Sequence, residues 1–375
     1  MKKIAFYLTS TGWGGLEMNT IKLAKLLKGK GYSISLYTIS DSIINTKTED
    51  IFDKIFYVNF GRKYFNFKIA KQIAKILNEE EISIIFAFDN RDLDVLSWVK
   101  LSHKKDLKII YQQHMQMGVA KRDFFHTLKF STINYWISPL NHLKNEVIEK
   151  TKFPKERIKI IPLSVDTEKY INAKYSKNEA LDKLKIDPKY PLIGIIGRIT
   201  EKKGQLFLIE SLIKLKNEGI NIELLIFGSA TVNDAPSQIY YQKILSRITE
   251  NNLESLVHLV DFQEDVSLFY NSIDVFVLGS ESETYGMVTI EAMLSKLPII
   301  ATNNGGTPEI LDFGELGSLY KYENYQELKD CLMWHLNNRN ESDAMAENAQ
   351  LIATKSYSIE NEITQIDDLI KSFIF

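Results

Sequence analysis

The densest run of chemically capable residues in this chain is Glu283-Thr284-Tyr285-Gly286-Met287-Val288-Thr289-Ile290-Glu291, continued by Ala292-Met293, Leu297 to Thr302 and Asn303-Asn304-Gly305-Gly306-Thr307-Pro308-Glu309. It reads as loop, helix, buried strand and second glycine loop. A carboxylate just before a helix lies in the field of unpaired amide groups, where it stays ionised and accepts from sugar hydroxyls. Glu291, about two helical turns on, addresses a different part of the same ligand. Gly286 and the Gly305-Gly306 pair let backbone approach a ligand, and a helix N-terminus beyond each receives anionic oxygens. Taken singly, Glu283 reads better as a helix cap and Glu291 as part of a solvated face. The ordered string of two glutamates, three glycines and a strand is better explained by a ligand site.

A second run, Gly197-Arg198-Ile199-Thr200-Glu201-Lys202-Lys203-Gly204, follows the apolar stretch Pro191 to Ile196. The C-terminal edge of a strand in an open α/β sheet is where ligands sit. A departing nucleoside diphosphate carries negative charge, and fixed cations stabilise it without a metal; Arg198 and Lys203 are the candidates. A lysine-rich loop by itself is more often solvated surface. A third run, Thr11-Gly12-Trp13-Gly14-Gly15-Leu16-Glu17, lacks the third glycine of the dinucleotide fingerprint and as a bare glycine turn is weak evidence. His114 follows the apolar run Leu107 to Gln112; a lone histidine is more often structural than catalytic.

Two other patterns stand apart. Asp92-Leu93-Asp94 has the spacing of a metal-binding acidic pair, but it opens a helix expected from about Arg91, where acidic residues are favoured by the dipole. No cluster of His, Glu or Cys offers another metal site. Lys121 to Phe130 mixes cations with Phe124, Phe125 and Leu128. It reads equally as a helix lying on a lipid surface and as an ordinary buried stripe.

The elements that must position these residues alternate along the chain. Apolar runs at Ile4 to Leu8, Ser33 to Thr38, Ile82 to Phe88, Leu107 to Gln112 and Ile158 to Leu163 are separated by amphipathic stretches. The rhythm resumes with Pro191 to Gly197, Glu223 to Gly228, Asp274 to Leu278 and Pro298 to Thr302. This is an α/β pattern with parallel sheets covered on both faces. A chain of 375 residues exceeds what one core normally holds, so two domains are expected. Asp166 to Tyr190, rich in Lys, Asn and Asp, reads as the linker, and Ser358 as the start of a last helix with Ile359, Ile363, Ile366 and Ile370 on one face.

Composition narrows the class. Hydrophobic content of 45% with 25% charged residues fits a folded chain, and a net charge of −2 gives no reason to expect nucleic-acid binding. A single cysteine, Cys331, excludes an internal disulfide and a thiolate metal cluster, which fits the cytoplasm. Ile4 to Leu8 is too short for a signal-peptide core, and no stretch approaches the roughly 18 to 20 apolar residues of a membrane span. Any membrane contact is therefore expected to be peripheral.

The string from Glu283 to Glu309 closely resembles the retaining glycosyltransferases of family 4, which have the GT-B fold. Their pattern is a glutamate, seven residues and a second glutamate in a Glu-x-Phe-Gly context, then Pro-Val-Ile-Ala-Thr and a Gly-Gly-x-Pro-Glu loop; here Tyr285 replaces the Phe, and Gly279 stands where a proline commonly precedes Ser280. The resemblance extends to Gly197-Arg198 with Lys202-Lys203-Gly204, to the N-terminal Gly14-Gly15-Leu16-Glu17 loop and to His114. It implies two Rossmann-like domains facing across a cleft: an acceptor domain over 1–170, a nucleotide-sugar domain over 171–356, and a helix over 357–375 crossing back.

By the same resemblance Glu283 contacts hydroxyls of the transferred sugar, Glu291 binds the ribose, and His114 holds a sugar hydroxyl. Arg198 and Lys203 hold the diphosphate. Gly14, Gly15, Gly286, Met287, Val288, Asn304, Gly305 and Gly306 complete the donor-binding set. The implied reaction is transfer with retention from a UDP- or GDP-linked sugar to a saccharide or lipid-linked acceptor in surface polysaccharide, lipopolysaccharide or glycoconjugate synthesis. It needs no metal or other cofactor. Asp261, where the family often has glycine, leaves the base open. Two alternatives stand: a catalytically silent scaffold subunit and a nucleotide-sugar epimerase of the same fold. The oligomeric state is open.

Overall fold

The computed structural model describes residues 2–47, 50–58, 67–104 and 106–373. The chain forms two compact units, one of residues 1–163 with 360–375 and the other of residues 164–359.

The first unit is built on a parallel sheet of β1 (Lys2–Tyr7), β2 (Tyr32–Thr38), β3 (Lys54–Tyr57), β4 (Ile84–Ala87), β5 (Lys108–Gln112), β6 (Tyr135–Ser138) and β7 (Ile158–Ile160). Their spatial order is β3-β2-β1-β4-β5-β6-β7. Strand side chains alternate between faces. Ala5 and Tyr7 join one core with Ile73, Leu77, Leu96 and Val99 of the helices Phe67–Glu79 and Leu93–Ser102. Ile4 and Phe6 join another with Leu23 and Leu27 of the helix Gly15–Gly29. That second core is completed by Ile363, Ile366, Leu369 and Ile370 of the last helix, Ile359–Lys371. The buried Glu362 of this helix pairs with Lys22 at 2.9 Å.

The second unit repeats the plan with β8 (Leu192–Ile196), β9 (Glu223–Phe227), β10 (Val257–Val260), β11 (Val275–Leu278), β12 (Ile299–Thr302) and β13 (Ser318–Tyr320), in the order β10-β9-β8-β11-β12-β13. Ile193 and Ile195 face the helices Gln205–Asn217, Ala235–Glu250 and Tyr325–Asn337. On the opposite face, a Cβ at Gly194 would lie 2.6 Å from Ile273 and 2.7 Å from Phe269, so the helix Ser267–Ser272 sits directly on the strand. In both sheets the first strand is flanked by the second and the fourth. The order of connection therefore reverses beside β1 and beside β8, and ligands of open α/β sheets bind at such reversals.

Three readings of the sequence are corrected. Asp166 to Tyr190 is not an unstructured linker: it holds the helices Glu168–Ile171 and Lys177–Leu184 and belongs to the second unit. Ser176 and Glu179 form a capping box at the second of these, which buries Ala180 and Leu181. The units divide at 163/164 and 359/360 instead of at 170/171 and 356/357, because Val165 bonds the Tyr357 carbonyl at 2.9 Å and Tyr170 packs on Tyr270. The helix Phe124–Ser131 is not a buried stripe. Phe124 and Phe125 are 73% and 76% exposed, Leu128 is exposed, and Phe130 alone is buried.

Candidate functional site

Within the second unit, the loops after β8, β11 and β12 leave the same edge of the sheet. Arg198 follows Gly197 at the end of β8 with its side chain exposed. The chain then makes a short turn, Glu201–Lys203, and enters the helix Gln205–Asn217 through Gly204 at φ +78°. A Cβ on Gly204 would come within 2.1 Å of the Gly279 carbonyl oxygen. This contact between two backbones holds the Lys203 turn against the start of the β11 loop. Gly279, in the position where proline is common, packs against Lys203 and Gly204 there.

The consequence is that Lys203 Nζ reaches Glu283 Oε1 at 2.6 Å, and Ser280 Oγ donates to the same oxygen at 2.6 Å. Glu283 is in turn tied to the glycine loop after β12. It bridges Gly305, its carbonyl accepts from the Gly306 amide at 2.8 Å, and Thr302 Oγ1 bonds the Ser280 carbonyl at 2.7 Å. Asn304 Nδ2 donates to the Glu281 carbonyl at 2.9 Å. Gly305 has φ +65°, and a Cβ there would lie 2.3 Å from the Glu283 carbonyl oxygen. One strand end thus supplies the cation, the next the carboxylate, and the third a backbone rim.

Gly286, at φ +82°, opens the helix Met287–Leu294. The amides of Met287 and Val288 head this helix, where no intrahelical acceptor exists. Glu291 lies on the same helix with its carboxylate half-buried. Tyr270 Oη donates to its Oε2 at 2.6 Å, and the Tyr170 hydroxyl also bonds it. Burial raises the Glu291 pKa above the ordinary carboxylate value, against the lowering pull of the two phenols and Lys169. Neither tyrosine is signalled by the sequence pattern, because the pairing is made by tertiary packing.

In the first unit, Gly14 and Gly15 begin the helix Gly15–Gly29 after β1, and a Cβ at Gly15 would meet nothing within 4 Å. Glu17, to which no role was assigned, is buried in the first turn. His114 lies just past β5 against Phe88, and its Nε2 is buried without a hydrogen bond. Burial, with the Lys22 charge adding to it, lowers its pKa to about 3, so the imidazole is neutral. Asp92 does not cap the helix Leu93–Ser102; its carboxyl turns to the Thr9 amide and hydroxyl. Burial pushes it up to about 8, while Asp94 pairs with Lys129 at 3.0 Å. Among the described residues no group of three His, Cys, Asp or Glu could hold a metal ion, and no helix is long and apolar enough to cross a membrane.

Comparison with known proteins places the chain. Residues 13–169 match the model of glycosyltransferase family 4, and residues 176–351 that of glycosyl transferases group 1. The chain is 22% identical to the trehalose synthase of Thermococcus litoralis over 311 residues, 82% of this chain and 73% of that protein. It is 24% identical over 217 residues to the lipopolysaccharide core biosynthesis mannosyltransferase LpsB of Rhizobium meliloti, 57% of this chain and 61% of that protein. Among solved structures, Anabaena Alr3699/HepE in complex with UDP superposes with a TM-score of 0.85 at 20% identity, over 99% of this chain and 100% of that one. Carrying these two domain types on two Rossmann-like sheets, the chain belongs to the group 1, family 4 glycosyltransferases and is a glycosyltransferase of GT-B fold.

Proposed function

We propose that the protein transfers a sugar, with retention at the anomeric carbon, from a nucleoside diphosphate sugar to a saccharide or lipid-linked acceptor in surface polysaccharide or lipopolysaccharide synthesis. The observation that carries the donor reading is the convergence of Lys203, Ser280 and Glu283 beside the Gly305-Gly306 loop. UDP is the favoured base carrier, since Anabaena HepE is solved with UDP. LpsB, named for lipopolysaccharide core synthesis, supports the acceptor class.

In this reading Arg198 and Lys203 take the charge of the departing diphosphate, so no metal is needed. Glu283 accepts from hydroxyls of the sugar and Glu291 from the ribose, while Gly286, Met287, Val288, Asn304, Gly305 and Gly306 offer backbone to sugar and phosphate, and Gly14 and Gly15 approach the phosphate. The neutral His114 holds a sugar hydroxyl. As the bond from the anomeric carbon to the phosphate breaks, the acceptor oxygen bonds that carbon on the same face. The leaving phosphate takes the acceptor's proton. The exposed Phe124, Phe125 and Leu128 support peripheral contact of a cytoplasmic enzyme with the inner membrane surface.

The test is thermal denaturation of the protein with UDP, GDP and their sugar conjugates, EDTA present throughout. A rise in Tm with one nucleotide, lost in Arg198→Ala and Glu291→Ala, is expected. No rise with any of them sinks the donor reading.

A further inference from the structure

Tyr270 lies on the helix Ser267–Ser272 and Tyr170 on the helix Glu168–Ile171, remote in sequence from each other and from Glu291. Their rings meet edge to face, 5.7 Å apart at 80°, and both side chains are buried. Tyr270 is wedged further by Phe269 and Phe276, with centroids at 5.1 and 6.3 Å. Two phenols locked this firmly have little rotational freedom, and both turn their hydroxyls to the Glu291 carboxylate. The Val288 carbonyl, 3.3 Å from Tyr270 Oη, is the more distant acceptor for that proton. The short bond therefore goes to the carboxylate.

We propose that Tyr170 and Tyr270 are positioning residues of the donor site, fixing the Glu291 carboxylate so that its remaining acceptor positions meet the ribose hydroxyls of the nucleoside diphosphate. The inference rests on the donor reading given above. An ionised carboxylate has about four acceptor positions, and two phenols engage two of them. The others are left for a ligand diol. Charge-assisted hydrogen bonds from rigid donors also offset the cost of holding a half-buried carboxylate ionised. Around Glu291 the acting groups are Tyr170, Tyr270 and Lys169, all of which favour the ionised form. Tyr170→Phe or Tyr270→Phe removes one of them while keeping the ring that packs, so the carboxyl takes up its proton at higher pH.

The experiment is calorimetric titration of the full chain with UDP, GDP and their 2′,3′-dideoxy counterparts between pH 5 and 9, for the parent, Tyr170→Phe, Tyr270→Phe and Glu291→Gln. The parent is expected to prefer the ribonucleotide by about tenfold or more, as a hydrogen bond to a charged group implies. In each Phe variant the preference shrinks by about threefold or more, and the acid limb of ribonucleotide binding moves to higher pH. Glu291→Gln removes both the preference and the limb. If Glu291→Gln leaves both intact, or no nucleotide binds, the donor reading fails and the inference with it. If Glu291→Gln abolishes the preference while both Phe variants keep the parent's preference and acid limb, the positioning role alone is overturned.

Discussion

Lys203 Nζ sits 2.6 Å from Glu283 Oε1. The cation proposed for the diphosphate and the carboxylate proposed for the sugar neutralise each other, at side-chain exposures of 30% and 14%. On the proposed donor reading, binding a nucleotide sugar exchanges this contact for contacts to the ligand. Neither group is then left alone in a partly dry site, where an unpaired charge is costly.

If Lys203 holds the diphosphate as proposed, Lys203→Ala acts on both binding and chemistry. It then removes charge that counters the leaving diphosphate and leaves Glu283 with Ser280 but without its cation. A drop in kcat/KM of about 10²-fold is expected, the size typical of losing one fixed transition-state donor. Steady-state kinetics on the purified variant check this, and a loss below about threefold would exclude Lys203 from stabilising the leaving group.

Gly204→Ala and Gly15→Ala separate backbone geometry from ligand approach. At Gly204 the new methyl would meet the Gly279 carbonyl at 2.1 Å in a left-handed conformation, so a loss of about 2 to 4 kcal/mol is expected. At Gly15 the added carbon meets nothing within 4 Å. That variant should keep its Tm within a few degrees while losing activity, if phosphate approaches the loop. Thermal melts beside activity assays distinguish the two, and equal melting points for both variants would contradict the packing described at Gly204.

His114 and Asp92 give opposite pH signatures. The folded pKa of His114, about 3, lies below its unfolded value near 6.5, so between these pH values the unfolded chain binds more protons. Its contribution to stability is present above that window and is lost as pH falls through it. Asp92 is raised to about 8 from 3.8, so it costs stability progressively as pH rises between those values. Asp92→Asn, which keeps partners for the Thr9 amide and hydroxyl, should therefore raise Tm more at pH 8 than at pH 5. Melting curves across pH decide it; a gain that is largest at pH 5 would have the sign wrong.

Phe124, Phe125 and Leu128 lie outside the buried core, so replacing all three by Ser should leave Tm nearly unchanged. If the helix Phe124–Ser131 lies on a lipid surface, flotation with anionic vesicles falls several-fold in the triple variant. Equal flotation of variant and parent, or none for either, would remove the membrane role.

What the sequence made legible follows from how strongly each element is buried. β8, β11 and β12 are almost wholly apolar, and β1, β5 and β9 carry buried apolar runs beside Lys2, Lys3, Lys108, Gln112 and Glu223, so these runs stand out. β3 is half-exposed, β6 mixes Tyr135, Trp136 and Ser138, and β13 spans only Ser318–Tyr320, so none carries a clear period. The helix Lys177–Leu184 was obscured by its charged residues, although Ser176 and Glu179 spell a capping box. In the candidate site, local motifs made Lys203, Glu283 and Glu291 readable as candidates, along with the exposed Arg198. Tyr170 and Tyr270 were not, since only tertiary packing brings them to Glu291, and Ser280, three residues before Glu283, carries no pattern that announces its bond.

The last helix has a consequence in time. During synthesis β1 emerges long before the last helix, yet Ile4, Phe6 and Leu8 share their core with Ile363, Ile366, Leu369 and Ile370. All of residues 164–359 must be made before that cover exists. β1 thus waits through all of that synthesis with one flank unfinished, and a nascent chain stalled before residue 360 presents that flank to chaperones or to other chains.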